Sequence, residues 1–135
     1  MAVYMSNRDF FRRFPDDAAC LDALVSLRFG ARPGCPKCGA TARFARLGRH
    51  PAYACPRCGH HLHPMAGTAF DRSRVPLQSW FYAVYLTVHW RRRVPARALC
   101  RRLGVSYPTA LRMAREIGRW MDATGAAAPA GRIAP

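Results

Sequence analysis

A small α+β fold is predicted by three features of the sequence. These are two near-identical cysteine pairs, a short β-forming stretch between them, and helical apolar periodicity on either side. The expected order is an N-terminal helix, a short antiparallel β unit and then three helices. At 135 residues the chain is one domain, or two small ones sharing a modest core. Half of the residues are apolar, so it should fold rather than stay disordered.

The first element lies in a helical segment over residues 1–30. In FPDDAACLDALVSLR (14–28), Asp16 is placed to cap a helix whose apolar stripe is Cys20, Leu21, Leu24 and Leu27. Cysteine on such a stripe behaves as a small hydrophobe. The helix should pack on the β unit or on the later helices.

The β unit is framed by Cys35-Pro-Lys-Cys-Gly39 and Cys55-Pro-Arg-Cys-Gly59. Two C-x2-C knuckles with sixteen residues between them fit a four-cysteine zinc site. Proline stiffens the turn between paired thiolates, and glycine after the second cysteine permits the positive φ of a tight turn. Between the knuckles, Ala42 to Ala54 reads as a hairpin, with Arg43-Phe44-Ala45 and Pro51-Ala52-Tyr53 flanking Leu47-Gly-Arg-His50. Knuckle, hairpin, knuckle, strand is the layout of a zinc ribbon, here over residues 31–70. Four thiolates close a tetrahedral site and leave no open position, so one zinc at Cys35, Cys38, Cys55 and Cys58 is structural. The competing reading, a pair of redox dithiols, needs one motif at a helix start in a βαβ setting.

Three histidines follow the second knuckle. Strand alternation puts Leu62 on one face and His61 and His63 on the other, so these two read as exposed strand residues rather than ligands. A histidine, His60 included, in place of one cysteine is the alternative. His50 in the hairpin loop and His89 on a helix read as ordinary surface or packing residues.

Residues 71–122 form the helical unit. Pro76 suits a first helical position, and Leu77, Trp80, Phe81, Val84, Tyr85 and Val88 recur at helical spacing to give a wide buried face. Arg91, Arg92 and Arg93 then serve either as cations at a helix C-terminus or as phosphate contacts. In ARALCRRLGVSYPTALRMAREI (96–117), two helical segments meet at Gly104-Val105-Ser106, with Ser106 as cap of the second. Leu99, Leu103, Val105, Ala110 and Met113 can share a small core, and Cys100 packs there too. This is the pattern of a helix-turn-helix, whose second helix, over 106–118, enters the major groove. Ser106, Tyr107, Thr109, Arg112 and Arg115 would point outward, with Arg112 or Arg115 able to pair bidentately with a guanine edge. Arg97, Arg101 and Arg102 on the preceding helix would meet phosphates. The plainer alternative is a helical hairpin with a solvated basic face. Residues 123–135, rich in Ala, Gly and Pro, are expected to be disordered.

Charge points to the partner. There are 22 basic residues against 7 acidic ones, a formal net of +15, and Lys37 is the single lysine. Arginine-favouring codons explain the arginine-to-lysine ratio but not the scarcity of acids. Such a balance implies a polyanionic partner, nucleic acid first, and the helix-turn-helix pattern narrows it to double-stranded DNA rather than a small-molecule substrate. No secretory signal opens the chain, and the most apolar run, Leu77 to Trp90, is broken by Gln78, Ser79, Thr87 and His89. It falls short of the ~20 residues that span a bilayer. A cytoplasmic, nucleoid-associated protein with no membrane partner is expected, and in that reducing compartment six cysteines favour metal over disulfides.

In order and combination, these pieces resemble the N-terminal part of a bacterial insertion-sequence transposase family, in which a zinc ribbon and helix-turn-helix precede a DDE-type catalytic domain. The resemblance runs from about residue 14 to 122 through FPDDAACLDALVSLRFG (14–30), CPKCG (35–39), YACPRCG (53–59), AGTAF (66–70), RVPLQSWFYAVYL (74–86) and LGVSYPTALRM (103–113). It implies that the ribbon and helix-turn-helix recognise the element's terminal repeats, and that Cys35, Cys38, Cys55 and Cys58 are the zinc ligands. HHLHP (60–64) departs from the family's basic or polar pair, aromatic and serine. A DDE domain also needs acids brought together on an RNase H-like fold to hold two divalent ions. The acids here are Asp9, Asp16, Asp17, Asp22, Asp71, Glu116 and Asp122, and these 135 residues hold no room for that domain. The expectation is a non-enzymatic, zinc-dependent, sequence-preferring duplex-DNA binder that regulates transposition or transcription. It would partner DNA and a transposase or a second copy of itself. The alternatives are a zinc-ribbon protein adaptor and the DNA-binding subunit of a split transposase.

Overall fold

The computed structural model describes residues 6–90 and 94–123. Two helices come first, α1 (Asn7–Arg13) and α2 (Asp17–Phe29). Three two-residue strands follow, β1 (Ala45–Arg46), β2 (Tyr53–Ala54) and β3 (His61–Leu62), and then α3 (Leu77–Trp90), α4 (Ala96–Leu103) and α5 (Tyr107–Ala123). The small α+β architecture is the expected one, with one element more. Helix α1 is held by a reciprocal cap, in which the Ser6 side chain accepts from the Asp9 backbone N–H at 3.1 Å and the Asp9 carboxylate accepts from the Ser6 N–H. It sets Phe10 and Phe14, both almost wholly buried, against Tyr82, Tyr85 and Phe81 of α3 at ring separations of 5.0–5.3 Å.

Asp16 caps α2 as expected, accepting from the Ala19 N–H at 2.9 Å, and Gly30 at φ 84° ends it. The buried stripe is Cys20, Leu21, Leu24 and Val25. Leu27, expected to belong to it, is 48% exposed. The stripe centres on Leu21 and Leu24 and takes in Val25, which leaves Leu27 at its margin in the last turn.

Helix α3 departs from a one-faced reading. Leu77 and the unbroken run Trp80–Thr87 are buried, so no face is left to solvent along its middle. A helix apolar all round belongs at the centre of a fold, and α2, α4 and α5 all pack against α3. The buried Thr87 hydroxyl donates back to the Ala83 carbonyl at 2.9 Å. Its start is capped from a distance: Asp17 of α2 accepts from the Gln78 N–H at 2.9 Å.

The sheet is antiparallel in the order β1-β2-β3, with Ala45 facing Ala54, Arg46 facing Tyr53, and Tyr53 and Ala54 facing Leu62 and His61. The first two strands lie slightly later than the expected arms Arg43–Ala45 and Pro51–Tyr53. Pairing this short is set by the knuckles and by the Leu47–His50 turn, closed by Leu47 and Ala52 at 3.0 Å, more than by side-chain pattern. No helix among the described residues is long and apolar enough to cross a membrane.

Candidate metal centre and nucleic-acid interface

Each knuckle is built alike. Gly39 and Gly59, at φ 75° and 78°, donate to the carbonyls of Cys35 and Cys55 at 2.9 Å, and the Cys35 and Cys55 N–H groups donate forward to Ala40 and His60. The matched turns bring the four Sγ atoms within 4.8 Å of one another, with Cys35–Cys58 at 3.6 Å and Cys38–Cys55 at 3.8 Å. Four sulfurs on one tetrahedral zinc, with Zn–S about 2.3 Å, stand about 3.8 Å apart. The donor set therefore fits one structural zinc, and of its members Cys35 and Cys55 are buried while Cys38 and Cys58 are exposed. Among the described residues this is the one group of three or more such side chains placed to share an ion, and no histidine belongs to it.

The electrostatics of the four thiols favour a cation. The Cys38 N–H lowers the Cys35 thiol to about 6, and the Cys58 N–H lowers that of Cys55. At Cys58 the His60 N–H also lowers the thiol, but desolvation and the neighbouring cysteines outweigh it and push it up to about 11. Thiolates in such proximity repel one another, and a bound divalent ion removes that repulsion.

The ribbon is fastened to α2 by contacts that sequence reasoning did not anticipate. The Tyr53 hydroxyl donates to the Asp22 carboxylate, Asp22 pairs with Arg46 at 2.5 Å, and Arg46 also donates to the Ala18 carbonyl at 3.0 Å. At the far end of α2, Arg28 donates to the carbonyls of Pro64 and Ala66. These partners lie 24 to 38 residues apart, and nothing local in the sequence marks them. The expectation that α2 packs on the ribbon or on the later helices resolves as both.

The two helices of the C-terminal unit meet at Gly104, which is left-handed at φ 69°, and the Cys100 thiol donates to the Val105 carbonyl at 3.0 Å. Ser106 caps α5 through the Thr109 N–H at 3.4 Å. Leu99, Ala110, Met113, Ile117 and Met121 are buried, with Leu103 and Val105 packed against them. Ser106, Tyr107, Arg112 and Arg115 are exposed, Tyr107 by 48%. Thr109 is only half-exposed, and its hydroxyl accepts from Ser106 at 3.0 Å, so it is turned toward the cap rather than outward. Arg97, Arg101 and Arg102 are exposed on α4. Arg91, Arg92 and Arg93 lie outside the described residues, as does the stretch 124–135. Between α2, the segment 67–70, α3 and α5 there is also a groove of about 500 Å³, lined by Leu24, Phe70, Trp80 and Ile117, with Leu27 and Trp120 among its residues. Leu27 and Trp120 are among the large apolar side chains left exposed.

Comparison with known proteins agrees with this geometry. Residues 15–64 match the transposase zinc-ribbon domain of the IS1595 type. A protein of Halobacterium salinarum, described as an uncharacterized protein in transposable element ISH50, is 29% identical over 114 residues, which cover 83% of this chain and 38% of that protein. The chain thus spans less than half the length of this relative. No solved structure matches.

Proposed function

We propose that this chain, which carries a zinc ribbon of the transposase type, is a zinc-dependent, sequence-preferring binder of double-stranded DNA. The observation that carries the reading is the α4–turn–α5 unit: a left-handed Gly104, a capped α5, and Arg112 and Arg115 exposed on that helix while Ala110, Met113 and Ile117 are buried. Helix α5 then enters the major groove from its capped end, with Arg112 or Arg115 on a guanine edge, and Arg97, Arg101 and Arg102 grip phosphates. Residues 31–70 act as the ribbon and 71–122 as the reader. The formal net charge of +15 supports the same partner. In this reading these residues recognise a terminal repeat or operator, while cutting and joining belong to a DDE-type domain. The chain acts as a regulator of transposition or transcription, or as the DNA-binding part of a larger or split transposase.

The test is selection from a random duplex-DNA library with zinc-loaded protein at near-physiological salt. An enriched motif is expected, and its half-site spacing reports whether two copies bind together. Salt-sensitive binding with no enriched motif overturns the reading. The groove flanked by Leu27 and Trp120 favours a second reading, a protein-docking adaptor, because exposed apolar patches mark interaction surfaces.

A further inference from the structure

We propose a second metal site on the outer face of the ribbon, formed by His61 and His63, that takes a transition-metal ion of the Ni2+, Cu2+ or Zn2+ class. Strand β3 is at the edge of the sheet, and residues two apart on a strand stand on one side of it. Leu62 faces Tyr53 and is half-buried, which leaves His61 and His63 exposed on the opposite side. Their ring centroids are 6.3 Å apart.

What surrounds the two rings leaves them available. His61 pairs with Ala54, and Ala54 with Ala45, so the cross-strand neighbours on that face are methyl groups that neither cover the imidazoles nor compete as ligands. With metal–nitrogen distances of about 2.0–2.1 Å, two imidazoles on one ion require the centroids to close by roughly 1–2 Å. Rotamer changes of exposed rings supply that movement. Imidazole nitrogen suits the later first-row ions. Between Asp22 and Asp71 the chain has no Asp or Glu, so an oxygen-seeking ion such as Mg2+ finds no carboxylate there.

The site differs in kind from the four-cysteine centre. Two ligands leave coordination positions to water, so the ion exchanges, whereas four thiolates close a structural site. Arg57, four residues before His61 in the chain, adds a positive charge that opposes a divalent cation, so the affinity falls below that of the thiolates.

The experiment titrates Ni2+ into the zinc-loaded full chain by calorimetry while released zinc is followed in parallel. One Ni2+ per chain is expected, with zinc retained, and Mg2+ should give no binding heat. His61→Ala and His63→Ala should each weaken Ni2+ binding about tenfold or more, and His50→Ala should not change it. His63 lies past the last residue of β3, so its variant tests the chelate without touching the strand pairing. Unchanged Ni2+ affinity in the doubly substituted chain, or uptake matched mole for mole by zinc release, overturns the proposal.

Discussion

Cys20 sits at 0% exposure on the inner stripe of α2, and burial, with Asp17 and Asp16 nearby, pushes its thiol from the ordinary 9.0 up to about 12. The sign of the consequence follows from which state ionises first. Above pH 9 the unfolded chain loses this proton while the folded chain keeps it. Stability is therefore unaffected below pH 9 and falls as pH rises from 9 toward 12. Tyr53 acts in the same direction, raised from 10.0 to about 12 by burial and then by the Asp22 carboxylate that its hydroxyl contacts. We expect Cys20→Ala to cost about 1 kcal/mol at neutral pH through lost packing. It should also flatten part of the alkaline decline, with Tyr53 sustaining the remainder. Denaturation midpoints from pH 8 to 11 for both proteins check this, and an identical slope in the variant would refute the assignment. That Cys20 is a core residue and Cys35 a ligand was legible in the sequence, because a stripe and a knuckle are both local patterns. That Asp22 holds Tyr53 and Arg46 was not, since its partners come from a distant hairpin.

The same divide between local and distant causes holds for whole elements. The knuckles, the Asp16 cap and the Gly104 turn are each specified within a few residues, and each forms where the sequence places it. Helix α1 carried a readable signal, Ser6 three residues before Asp9, but in so short a helix that its identity rests on Phe10 and Phe14 finding α3. The all-round burial of α3 was illegible from periodicity, which reports one face and not how many neighbours arrive. The groove was illegible for the same reason, its walls coming from four separate segments. Helices α4 and α5 give the prediction proper to this scale. Arg112→Ala on α5 should relax preference at one base pair by about 1–3 kcal/mol. Arg101→Ala on α4 should weaken all sequences alike and reduce the salt slope by about 1. Binding to matched and mismatched duplexes across a salt series separates the two, and swapped phenotypes would reverse which helix reads.

For the molecule as a whole, the ribbon and the helical unit draw stability from different sources. The sheet has only two-residue strands, and although Phe44 and Tyr53 join the same buried core as Trp80, Phe10 and Met113, the ribbon depends on its metal while the helices rest on that core. Cys55→Ser, or a strong chelator, should unfold residues of the ribbon while leaving most of the helical circular dichroism, with the loss of fixed ribbon signals visible by NMR. A ribbon that stays ordered without metal would contradict the zinc assignment. Helix α2 stands between the two units, with Asp22 and Arg28 fastening one and Asp17 capping the other. In the DNA-binding reading this shared strut acts as a ruler. If ribbon and α5 both touch one duplex, their separation is fixed in helical phase. An insertion of about five base pairs between their contacts turns one of them to the far side of the double helix, where a full turn of about 10 would restore the facing but not the reach.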